Sequence, residues 1–142
     1  MTLVVGLAAA ALSGCHAPRE PRLANLSGDA DHGRVLLGSY GCGTCHSIPN
    51  VAGANGRVGP PLWGMADRGY IGGVLPNTED AMVRWIQDPL EVTPRTAMPN
   101  LGVSETDARH MTAYLFSLRA EPLLLRILRG HLERAWGREL PS

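Results

Sequence analysis

The sequence predicts an all-α fold in which three main helices are joined by long loops. Three observations carry that reading. Helical apolar stripes recur three times, each behind a capping residue, and no stretch shows the alternation of a strand. Between the stripes Gly and Pro are dense, at 17 and 11 of the 142 residues. The chain has a single Phe and 5% aromatic residues, too few large side chains to fill a core, so something else is expected to fill part of it. One domain is the prior at this length. All 13 basic residues are Arg, scattered along the chain and balanced by 13 acids. That supplies neither the basic excess nor the basic stripe of a nucleic-acid binder. No run of about twenty apolar residues reads as a membrane-spanning helix.

Taken in chain order, residues 2–12 are almost unbroken Leu, Val, Ala and Gly, the length of a signal-peptide apolar region. They meet Leu12-Ser13-Gly14-Cys15, which resembles the bacterial lipobox, in which small residues before a cysteine permit cleavage and leave that cysteine lipid-modified. Met1 and Thr2 lack the positive charge that export signals carry. The polar stretch from His16 to Pro21 follows as a tether would. On this reading residues 1–14 are a lipoprotein signal peptide and 15–28 the lipidated N-terminus and tether. Residues 29–119 then form the folded domain and 120–142 an amphipathic helical tail, with acyl chains on Cys15 holding the domain to a membrane.

Asp29 caps the first expected helix, which runs through Arg34, Val35, Leu36, Leu37 and Tyr40, with Gly33 and Gly38 permitting another backbone to approach closely. Residues 48–70 are rich in Gly and Pro without periodicity and read as ordered loop. Thr78, followed by Glu79 and Asp80, starts the second helix with the acidic first turn that the helix dipole favours, and Pro89 stops it near Asp88. Met82, Trp85 and Ile86 share one face. Ser104 caps the third helix with Asp107 in the position of a capping-box acid, and Ala108, Met111, Leu115 and Leu118 form its stripe. In the tail, Leu124, Leu128, Leu132 and Ala135 fall on one face, opposite Arg126, Arg129 and Glu133. That face suits packing on the domain, an interfacial membrane contact or docking to a complex subunit.

Gly41-Cys42-Gly43-Thr44-Cys45-His46 contains Cys-x-x-Cys-His, the signature of covalent c-type haem attachment. Two thiols one turn apart can add to the two vinyl groups on one porphyrin edge, while the adjoining histidine swings beneath the ring towards the iron. Half a zinc site would need two further ligands, and His16, His32, His110 and His131 show no paired spacing. A thioredoxin-like motif would need strand and helix alternation around it.

From about Asp29 to Arg119 the chain resembles the class I cytochrome c family. Beside the attachment motif, Gly59-Pro60-Pro61-Leu62-Trp63-Gly64-Met65-Ala66-Asp67-Arg68 is similar to the family's Gly-Pro-x-Leu-x-Gly segment closed by arginine. The segments from Met82 to Pro89 and from Pro94 to Pro99 look like the helix and loop that deliver an axial methionine, and Ala113-Tyr114-Leu115 matches the last helix. The resemblance implies the cytochrome c fold wrapped around one covalent haem c, held by Cys42 and Cys45, with His46 as proximal iron ligand and its Nδ1–H donated to the Pro60 carbonyl. For the sixth ligand the candidates are Met65, Met82, Met98, Met111 and His110. Met82 and Met111 sit on helix stripes and read as core, whereas Met98 lies in a Pro-bounded loop and matches the family position. A thioether favours ferrous iron and a relatively high potential.

The same resemblance places Trp85 beside the methionine sulfur and Arg68 near a haem propionate, with Thr96 as a second propionate partner; Trp63 and Tyr70 stand near these motifs without an assigned orientation. Arg95 replaces a glycine common before the methionine, and the family's basic docking ring is absent. From Asp29 to Arg119 seven Arg face nine acids, so a strongly basic docking face is not expected. The function implied is that of a non-enzymatic single-electron carrier on the periplasmic face of a bacterial membrane, with partners such as a quinol oxidoreductase and a terminal oxidase. The alternatives are a haem enzyme or gas sensor with an open iron site, and a fixed cytochrome subunit of an oxidase or dehydrogenase complex.

Overall fold

The computed structural model describes residues 26–120, together with Leu124, Leu125, Ile127, Leu128, His131 and Leu132 of the tail. The expected signal peptide, Cys15 and most of the tether lie outside these residues, as do Arg126, Arg129, Glu133 and Ala135. Asp29 caps helix α1, Ala30–Ser39, by accepting from the His32 N–H at 2.8 Å. Tyr40 ends α1, and its hydroxyl donates to Asp107 at 2.7 Å. A 3-10 turn, Cys42–Thr44, follows, and a second, Met65–Asp67, closes the Gly/Pro-rich loop.

The expectation of no strand is corrected by a small antiparallel hairpin, β1 Tyr70–Ile71 and β2 Leu75–Pro76, pairing Tyr70 with Pro76 and Ile71 with Leu75. Two residues per strand are too few for alternation to register in the sequence. Left-handed Gly72 and Gly73 turn the chain between them.

Thr78 caps α2, Glu79–Gln87, by accepting from Ala81 N–H. Pro89 does more than stop it. As the first residue of a one-turn helix α3, Pro89–Val92, it follows Asp88, whose carboxylate accepts from Glu91 N–H at 3.0 Å. A proline is well placed there, because the first helical N–H has no intrahelical partner to lose. Ser104 caps α4, Glu105–Ser117, through Asp107 N–H at 3.1 Å, while the Asp107 carboxylate takes the Tyr40 hydroxyl.

Helix α4 is the hub, and its most extensive pairing is with α1. Their backbones touch where a Cβ on Gly33 would overlap the His110 carbonyl. Gly38 makes no such approach, since a Cβ there would meet only Val51 Cγ1 at an ordinary 3.6 Å. Leu37, Met82, Ile86, Met111, Leu115 and Phe116 build the buried core around this crossing. Beyond it the tail residues Leu124, Leu125, Ile127, Leu128 and Leu132 are helical and 46–67% exposed. The described part of the tail's apolar face is therefore open to solvent.

Candidate functional site

Left-handed Gly41 bends the chain into the Cys42–Thr44 turn, and His46 N–H donates to Cys42 O at 3.0 Å. Cys42 and Cys45 therefore stand one turn apart, half-buried and with free thiols. Burial chiefly, with Cys45 nearby, pushes the Cys42 thiol above its ordinary range. A thiol–disulfide exchange centre requires the opposite, a stabilised thiolate. No group of three or more His, Cys, Asp or Glu among the described residues converges on a metal position, so a zinc centre has no ligand set there.

The His46 ring is fixed from one side. Its Nδ1 lies 2.7 Å from Pro60 O; a carbonyl can only accept, so Nδ1 carries the proton, and in that tautomer of the neutral ring Nε2 holds the lone pair. The ring lies flat enough against Gly59 that any Cβ there would overlap it. Residues 59–62 run beside the motif: Gly59 N–H donates to Cys45 O and Leu62 N–H to Ser47 O, both at 2.9 Å. Pro60 and Pro61 have no N–H to offer elsewhere, so they meet their neighbours through their carbonyls.

Arg68 reaches back to this segment, its Nη2 donating to the carbonyls of Pro61 and Trp63. Trp85 is half-buried on α2 and packs against the backbone of Gly72 in the hairpin turn. Thr96 Oγ1 accepts from Met98 N–H at 3.2 Å and so shapes its own loop. Met65, Met82 and Met111 are committed to the core, at 4%, 2% and 0% exposure; Met98 alone of the described methionines is on a loop and half-buried. His110 Nδ1 is occupied as well, accepting from Asp29 N–H at 2.8 Å. Trp63 and Tyr70 stand on the surface, about half and two-thirds exposed.

One residue at the site carries no signal in the sequence. Asn77, buried at the turn before α2, donates through Nδ2 to Met65 O at 2.7 Å and to Arg68 O at 3.0 Å. An asparagine between proline and a helix cap reads as ordinary turn chemistry. Two thiols on one turn beside an imidazole held at Nδ1 are donor types that fit covalent haem, and Met98 is a thioether not consumed by the core.

The chain is similar to cytochrome-type proteins. It is 32% identical over 91 residues to cytochrome c oxidase subunit 2 of Alkalihalophilus pseudofirmus, a match covering 63% of this chain and 26% of that protein. The protein of the same name from a Bacillus species is 31% identical over 84 residues, covering 56% of this chain and 24% of its own length. A cytochrome c-553-like protein of Synechocystis is 44% identical over 43 residues, 30% of this chain and 36% of that one. The chain thus spans about a quarter of the oxidase subunits' length. No protein-family model and no solved structure matches it.

Proposed function

We propose that residues 29–119 form a monohaem c-type cytochrome domain that carries single electrons. Cys42 and Cys45 hold haem c through thioethers, and His46 and Met98 ligate its iron. The observation that carries this reading is the fixed His46 ring, with its Nδ1–H on Pro60 O, its face on Gly59 and Nε2 free. When bound, the haem supplies a one-electron ferric/ferrous couple. The chain's own groups do the rest: the Pro60 carbonyl holds the imidazole in one tautomer and raises its basicity. Thr96 sets the backbone that offers Met98, and Trp85 walls the pocket over the hairpin.

The acyl chains on Cys15 tether the domain to the periplasmic face of a bacterial membrane, and the tether raises its effective concentration near partners such as a quinol oxidoreductase and a terminal oxidase. The similarity to two oxidase subunits favours a second reading, a domain fixed to a terminal oxidase. Co-purification with oxidase activity through detergent and high salt separates the two. The primary test is an optical spectrum of protein made with a c-type maturation system. A low-spin c-type spectrum with the iron–thioether band in the red is the expected result. High-spin haem points instead to an open iron site, and absence of haem overturns the reading.

A further inference from the structure

We infer that Asn77 and Arg68 form a brace whose role is to set the hydrogen bond between His46 and Pro60. The inference deepens the proposed function, since His46 is the residue it offers to iron. It stands on a continuous set of contacts. Asn77, 2% exposed, is fixed by its own N–H on Gly69 O at 3.0 Å. Its side-chain amide spends both donors on the carbonyls of Met65 and Arg68, the first residue of the second 3-10 turn and the residue that caps its end. That holds the backbone from which the Arg68 side chain departs.

The Arg68 guanidinium in turn grips the carbonyls of Pro61 and Trp63, on either side of Leu62. The adjacent carbonyl, Pro60 O, receives the His46 proton. Prolines at 60 and 61 remove the two N–H groups that would otherwise anchor this stretch. Its position is left to Gly59 N–H, Leu62 N–H and Arg68 Nη2. Without Nη2 the Pro61–Leu62 peptide keeps only the Leu62 N–H bond to Ser47 O, and a shift of the loosened segment carries Pro60 O with it. A carbonyl turned away from His46 weakens the bond, lowers the basicity of Nε2 and makes it a poorer donor to ferric iron.

The test reads the His46 Nδ1 proton by NMR in the ferrous holoprotein and in the haem-free chain, for Arg68→Met, Asn77→Ala and the double variant. Arg68→Met keeps an unbranched side chain and removes the Nη2 donor to both carbonyls. The brace is supported if each single variant speeds exchange of that proton about fivefold, the ratio expected for weakening one ordinary hydrogen bond, and raises the reduction potential. The double variant must add little to either, because the two residues act in series. Val83→Ala is the control, a buried core truncation outside the brace. The inference is overturned if the proton is unmoved in both single variants, or if Val83→Ala moves it equally. Since exchange is read without haem too, an absent haem spectrum sinks the cytochrome reading and leaves this result standing on its own.

Discussion

Gly59 and Met98 make the sharpest tests at the scale of single residues. A Cβ at Gly59 overlaps the His46 ring, so Gly59→Ala forces ring or backbone to shift. The overpacking is expected to cost about 1–3 kcal/mol and to lower haem incorporation, read by thermal unfolding and by the haem-to-protein absorbance ratio. Met98→Ala should lose the iron–thioether band and lower the potential; an unchanged spectrum and potential would remove Met98 from the iron. The pair of Tyr40 and Asp107 gives a pH prediction. The Tyr40 hydroxyl holds Asp107 below the usual carboxylate value of 3.8, and the carboxylate raises Tyr40 above its usual 10.0. A depressed acid stabilises the fold above its unfolded value and loses that contribution as pH falls through the folded one. A raised phenol contributes below its unfolded value and loses it as pH rises through the folded one. The α1–α4 tie should therefore weaken below about pH 4 and above about pH 10. Tyr40→Phe should flatten the thermal stability profile at both ends.

Among the elements, α1, α2 and α4 begin at the residues their capping side chains mark, because a cap needs only three residues of local sequence. The hairpin and α3 were not legible in that way. Two-residue strands carry no period, and a proline that ends one helix can equally begin the next, a choice made here by Asp88. The tail shows the limit of amphipathicity as a guide: its pattern suits packing, a membrane contact or docking alike, and its described leucines are exposed. Leu124→Ala and Leu128→Ala are accordingly expected to change stability by less than about 0.5 kcal/mol. Phe116→Ala, in the buried face of α4 at 1% exposure, should cost about 3–5 kcal/mol. Chemical denaturation of the three variants checks the contrast.

For the whole molecule, the architecture brings one loop and one helical hub into register. Residues 59–62 lie along the Cys42–His46 segment, while α4 holds α1 and α2 in place. The body from Asp29 to Arg119 has a slight acidic excess, seven Arg against nine acids. Reduction of a partner by this protein should therefore show a weak dependence on ionic strength between about 10 and 150 mM salt, without the steep loss typical of docking on a strongly basic face. Stopped-flow rates across that range measure it. Attachment is tested separately: Cys15→Ser should move the protein from membrane to soluble fractions and change its mature mass.

The features legible in the sequence were local. The one-turn spacing of Cys42 and Cys45 with His46 adjoining, the capped starts of three helices and the core assignment of Met82 and Met111 all depend on neighbours within a turn or two. Tertiary structure alone decided which distant groups meet. It placed Asn77 under the Met65–Asp67 turn, aimed Arg68 at the Pro61 and Trp63 carbonyls, and left the tail's described leucines exposed. Those outcomes depend on how loops close over long sequence separations. A backbone carbonyl, the same in every residue, leaves no mark in the sequence of which side chain it will receive.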